Sequence, residues 1–160
     1  MTFWKYCIAM LGAFQYGYTI AVMAGALLFL APLYQLDPSR QGFLVSTVLI
    51  GGLIGAASAR MMADVYGRKW AQIMIAGLFF AGTVVVIFSS SVEAIVVGRV
   101  IQGLAVGSIS VVGPMYIAEV SPSEKRGRNV SFYQLCVTFG ILCAYIVNYL
   151  FSGDGAWSWP

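Results

Sequence analysis

The 160-residue chain has no histidine, three cysteines and only six acidic residues. With no histidine, no paired carboxylates and no nucleophile beside a base, the chemistry of a soluble enzyme has nothing to stand on. Cys7, Cys136 and Cys143 all fall inside apolar runs, which excludes a disulfide framework. Cys136 and Cys143 share one face of a helix, but a metal there would need further ligands, so no cofactor is expected and the thiols read as apolar packing. Charge is scarce too, at 9% of residues, against roughly 25% in a soluble domain. The nine lysines and arginines give a net charge of +3, yet they stand singly or in short clusters. No continuous basic face is available for nucleic acid.

Apolar residues fill the space that charge vacates: 60% of the chain is hydrophobic. A helix crosses the hydrocarbon core of a bilayer with about 20 apolar residues. Five runs reach that length, near 6–31, 42–63, 71–90, 93–118 and 131–151. The breaks hold turn formers or charges: Tyr34 to Gln41, Asp64 to Lys69, Ser89 to Ser91, and Glu119 to Asn129. A soluble helical bundle would carry a polar stripe at helical spacing, and these runs carry almost none. The expected fold is all-α, a polytopic membrane protein with five transmembrane helices and the lipid bilayer as its partner.

Placing the N-terminus in the cytoplasm puts Lys5, Arg60, Arg68, Lys69, Lys125, Arg126 and Arg128 on or near one side and leaves Arg40 as the external loop cation. That bias fits the positive-inside rule. The first run is too long for the apolar region of a secretory signal and is read as a retained helix. The sequon Asn129-Val-Ser131 then lies on the cytoplasmic side, where glycosylation is not expected. Glycines recur within the runs at Gly51, Gly52, Gly55, Gly77, Gly82, Gly103 and Gly107. Such small residues let helix backbones approach closely in lipid.

One stretch, Gly98 to Arg128, joins two charge features. Arg99 lies inside an apolar run, and an intramembrane charge is expensive enough to mark a functional site. At the far end of the same run stands the acidic and basic cluster from Glu119 to Arg128.

The motifs Asp64-x-x-Gly67-Arg68-Lys69, Gly98-Arg99, Pro114-x-Tyr116-x-x-Glu119-x-Ser121-Pro122-x-x-x-Arg126-Gly127, and Gln134 early in the fifth run carry a resemblance. In this order and spacing the chain resembles the sugar porter family of the major facilitator superfamily, from about residue 17 to 148. The resemblance implies a carrier of two six-helix halves around a central sugar site reached alternately from each side. On that basis residues 1–160 are expected to form an incomplete N-terminal bundle of a longer carrier, with Gly155 to Pro160 leading toward a sixth helix. The missing C-terminal half becomes the implied partner, and a monosaccharide, hexose or pentose, the implied substrate. A multi-pass position in the cell membrane follows.

The resemblance also assigns Asp64, Arg68, Glu119 and Arg126 to a cytoplasmic gate of ion pairs. Carboxylates at such a place bond an arginine or the amides opening a helix. The family usually has glycine four residues before the aspartate. Here Arg60 stands in that place, one helical turn from Asp64, where it either supplies a substitute ion pair or loosens the latch.

Gln134, Thr138, Ile141 and Tyr145 fall on one helix face. A carboxamide both donates and accepts hydrogen bonds, which suits vicinal sugar hydroxyls, and a structural bond to a neighbouring helix is the alternative use. In sugar porters the matching glutamine touches the sugar, so Gln134 is the first expected contact, with Ile141 as an apolar wall, Tyr16 to stack on or gate over the ring, and Thr19 also expected among the substrate-binding residues. Proton-driven members typically have a Gly-Tyr-Asp motif whose aspartate faces the arginine matching Arg99. This chain reads Gly17-Tyr18-Thr19. Thr19 cannot titrate in the physiological range, and Asp37, Asp64, Glu93, Glu119, Glu124 and Asp154 all fall in loops or at span edges. Arg99 must then find neutral acceptors, such as Thr19, backbone carbonyls or cavity water, or reach Glu93. Facilitated diffusion is therefore expected ahead of proton-coupled symport, and a non-transporting membrane sugar sensor stands as the alternative from another class.

Overall fold

The computed structural model describes residues 2–153, with side chains from Tyr6 to Leu150 other than Phe29. Gly155 to Pro160, read above as the lead-in to a sixth helix, lie outside the described residues. The elements are α1 (Thr2–Leu33), α2 (Pro38–Tyr66), α3 (Arg68–Ile87), α4 (Val92–Val120), a short 3-10 turn (Ser123–Lys125) and α5 (Arg126–Gly153). All five α-helices are long and apolar enough to cross a membrane. The fold is all-α, with no strand among the described residues.

Local chemistry sets the boundaries. Pro38 opens α2, where its fixed φ suits the first helical turn and its missing N–H costs nothing. The joint between α2 and α3 is one residue, Gly67, at φ 80°. That conformation favours glycine because a Cβ would clash. Asp64 and Arg68, expected in a loop, therefore lie in the last turn of α2 and at the start of α3. The third helix ends at Ile87, so Phe88 to Ser90 are not helical as the apolar run suggested. Ser91 caps α4 by accepting the Ala94 N–H at 3.3 Å, with Glu93 in the first turn where the helix dipole favours an acid. Ser121, ahead of Pro122, is extended as a pre-proline residue prefers, and this ends α4.

The helices run alternately up and down. Tyr6, Arg68, Glu119 and Asn129 meet at one end, called here the Arg68 end. At the other end Leu36, from the α1–α2 connection, is buried with Met23, Leu44 and Ile95. Helix α4 is the most enclosed, packed on α2, α3 and α1, while α1 pairs chiefly with α5. Leu53, Phe80, Phe88 and Tyr149 are among many large apolar side chains that point outward. Such a surface is stable facing lipid and costly facing water.

Glycines make the tight seams, and the two main seams repeat. A Cβ on Gly51 of α2 would overlap the backbone of α4 at Val100 and Leu104; a Cβ on Gly140 of α5 would overlap α1 at Phe14 and Tyr18. Gly103 abuts the Val48 carbonyl in the same way that Gly17 abuts the Val137 carbonyl. The α1–α5 pair is thus a second copy of the α4–α2 pair, the internal repetition expected of transporter folds. Gly82 of α3 packs on Gly98 and Gln102 of α4. Gly77 departs from the sequence expectation: it faces open space and belongs to no seam.

Candidate gate and substrate face

At the Arg68 end one guanidinium joins two helix termini. The Nε of Arg68 donates to both carboxylate oxygens of Glu119, at 3.1 and 3.2 Å, and Nη2 lies 3.0 Å from Oε1. Its Nη1 donates to Asp64 Oδ1 at 2.6 Å and to the Ala63 carbonyl at 2.9 Å. The planar, five-donor head of arginine can make this fork, whereas a lysine ammonium cannot hold both carboxylates and the carbonyl in one geometry. The side chain of Arg68 is 27% exposed and the two acids about half. Water therefore weakens each pair.

Arg60 lies 3.9 Å from Asp64 and is 81% exposed, a loose pair on an open surface rather than a charge in a packed corner. Arg126 is exposed, starts α5, and pairs with no carboxylate among the described residues. The structure thus joins Asp64, Arg68 and Glu119 and leaves Arg126 outside the cluster.

A neutral clasp, not anticipated from the sequence, closes the same end. Asn129 donates to Ser121 Oγ at 2.9 Å and to the Tyr6 hydroxyl at 3.4 Å, while Tyr6 and Ser121 hydroxyls lie 3.2 Å apart. It ties α1, the end of α4 and the start of α5. The signal in the sequence was a glycosylation-like sequon at Asn129, which pointed elsewhere.

Arg99 is buried within α4, and its Nε and Nη1 donate to no acceptor among the described residues. The acceptors expected from the sequence are engaged elsewhere: Thr19 is buried, and its hydroxyl donates to the Gln15 carbonyl at 2.8 Å. Glu93 stays in the first turn of α4. One turn beyond Arg99, Gln102 donates to Thr83 at 3.1 Å, while its Oε1 is unmatched.

On α5, Gln134, Thr138 and Tyr145 are exposed and Ile141 is half-buried. Thr138 returns its hydroxyl to the Gln134 carbonyl at 3.1 Å, while the carboxamide of Gln134 and the hydroxyl of Tyr145 make no hydrogen bond among the described residues. Tyr16 faces inward instead. It packs against the clusters around Ile109 and Val137, the second of which also takes Ile141. Tyr16 further lines a cavity of about 190 Å³ between α1, α3 and α4, together with Gln15 and the buried Gln72.

A chain of long apolar helices, seamed by glycine and holding an unpaired arginine in its central helix, is a polytopic membrane protein with transporter architecture. Residues 4–160 match the family described as Sugar (and other) transporter. The glucose transporter GlcP of Staphylococcus epidermidis is 40% identical over 97% of this chain and 35% of its own length. The galactose-proton symporter of Escherichia coli is 38% identical over 99% of this chain and 34% of its own. Among solved structures, the proton:xylose symporter XylE bound to 6-bromo-6-deoxy-D-glucose superposes with a TM-score of 0.88 at 33% identity, covering 99% of this chain and 39% of that one. The chain belongs to the sugar porter family of the major facilitator superfamily. It spans about a third of the length of the curated relatives it matches.

Proposed function

We propose that this chain is the N-terminal part of a carrier that moves a hexose or pentose across a cell membrane by alternating access. It is a carrier and not an enzyme, and residues 1–160 form an incomplete bundle completed by a C-terminal half. The observation that carries the reading is the free carboxamide of Gln134 on an exposed face of a membrane-spanning helix, within a chain of this family. In lipid such a group is costly unless it meets a polar partner. A sugar in a central cavity is that partner, with Ile141 beside it as an apolar wall. Tyr16 and Thr19 of α1 complete the substrate-binding set, Tyr16 lining the cavity between α1, α3 and α4.

The Asp64–Arg68–Glu119 cluster serves as the cytoplasmic gate, with Arg126 reaching toward the absent half. The cations Arg60, Arg68, Lys69, Lys125, Arg126 and Arg128 gather at that end, which supports a cytoplasmic N-terminus. Transport is facilitated diffusion: Thr19 replaces a titratable group, and no carboxylate reaches the Nε or Nη1 of Arg99 among the described residues. Proton symport is the second reading, favoured by relatives named as galactose- and arabinose-proton symporters.

Counterflow of labelled hexoses and pentoses into vesicles carrying the full-length protein tests the function. Gln134→Ala is expected to raise KM about tenfold, the loss of one or two hydrogen bonds to the sugar. No saturable counterflow with any of these sugars would remove the carrier reading, and sugar-dependent proton entry would replace diffusion by symport.

A further inference from the structure

The sequence singled out Pro114 only as part of a family signature, yet the structure gives its neighbour Gly113 a specific contact. A Cβ at Gly113 would sit 2.6 Å from Cε2, 2.7 Å from the hydroxyl and 2.9 Å from Cζ of Tyr133. Gly113 has no positive φ to explain it, and glycine inside a helix is less favourable than alanine. Room for the tyrosine ring is what the glycine provides. Tyr133 is buried, and its hydroxyl donates to the Ile109 carbonyl of α4 at 3.0 Å.

That carbonyl lies beside a weak point of α4. Pro114 has no N–H, so the carbonyl of Ser110 loses its helical donor. The phenol therefore binds α5 to α4 where the ladder of α4 is interrupted. Gln134 is the next residue on α5, and successive side chains on a helix diverge by about 100°. Seating Tyr133 in the Gly113 notch consequently fixes the rotation of α5 and turns Gln134 outward.

We infer that Tyr133 is a positioning residue, keyed into the Gly113 notch of α4, that orients Gln134 toward the substrate. The inference rests on the reading of Gln134 as a sugar contact. Its closing experiment separates the two by using a readout that needs no sugar.

In a cysteine-free form of the full-length protein carrying Gln134→Cys, the labelling rate by a membrane-impermeant thiol reagent reports the orientation of position 134. Adding Gly113→Ala or Tyr133→Phe is expected to change that rate at least about threefold, as loss of roughly one hydrogen bond or a displaced ring would. With Gln134 intact, the same substitutions are expected to raise sugar KM about fivefold while Vmax per folded molecule stays within about twofold. Tyr133→Phe keeps the ring volume, so the test survives if Gly113→Ala fails to fold. Unchanged labelling and KM in folded Tyr133→Phe, or a fall in Vmax at constant KM, overturns the positioning role. If labelling shifts but Gln134→Ala leaves KM unchanged, the positioning role toward a sugar falls with the sugar contact, although the rotational key itself stands.

Discussion

Gly52 and Gly55 look alike in the sequence, but alanine at each is expected to have opposite consequences. A Cβ on Gly55 would strike the backbone of Leu104, with its Cα only 2.9 Å away, and backbone cannot rotate aside. Helices α2 and α4 must then separate, which loosens the seam and stretches the bond from Ser108 Oγ to the Gly55 carbonyl, now 3.1 Å. Overpacking of this kind costs about 1–3 kcal/mol, and the hydrogen bond adds roughly 0.6 kcal/mol in a membrane. Replacing glycine by alanine returns up to about 1 kcal/mol of helix propensity. The net expectation for Gly55→Ala is a loss of about 1–2.5 kcal/mol. At Gly52 the nearest atom to a new Cβ is 3.7 Å away, an ordinary contact, and at Gly77 nothing lies within 4 Å. Gly52→Ala and Gly77→Ala should therefore be neutral or stabilise by up to about 1 kcal/mol. Thermal melting of the three full-length variants in detergent, read by the folded fraction surviving size-exclusion chromatography, gives the ranking. Gly55→Ala melting alongside Gly77→Ala would show that the seam has room for a side chain and sink the prediction, as would Gly52→Ala falling with Gly55→Ala.

Arg68→Lys keeps the charge but loses the fork, so the gate should behave more like Arg68→Ala than like the parent; solvent accessibility of cysteines placed along the substrate pathway reports it, and parent-like accessibility contradicts the prediction. Arg99→Met removes a buried, unmatched charge and should raise thermal stability by about 1–3 kcal/mol while reducing sugar counterflow. A melt lower than the parent's would show that Arg99 is satisfied after all. Tyr6→Phe breaks one link of the neutral clasp and Asn129→Ala removes its donor. Each should cost about 1 kcal/mol, and the double variant should cost less than the sum, because both act on one network. Full additivity in the same melts would argue against a shared clasp.

Part of this organisation was legible in the residues alone. The five apolar runs announced five membrane helices because a bilayer demands long apolar stretches with internally satisfied backbones. The family motif pointed to ion pairs among Asp64, Arg68 and Glu119, whereas the one-turn spacing was noted for Arg60 and Asp64, a loose pair at 3.9 Å. Gly67 hid its importance, since nothing in Tyr66-Gly67-Arg68 says that a single residue joins two helices. Tyr16 was expected to stack on or gate over the sugar ring; in the structure it packs against α4 and α5 and lines the cavity between α1, α3 and α4.

The residues alone say that the chain enters a membrane, where its helices begin and end to within about five residues, and which charges collect at one end. Which faces meet emerges on folding: Gly55 and Gly107 carry a seam and Gly77 does not, Glu119 reaches Arg68 rather than Arg126, and Tyr133 fills the notch at Gly113. The reason is the solvent. In water a helix advertises its buried face by an apolar stripe, but in lipid both the outward and the inward faces are apolar. Contacts are then chosen by shape and by a few polar groups, and those meet only when the chain is folded.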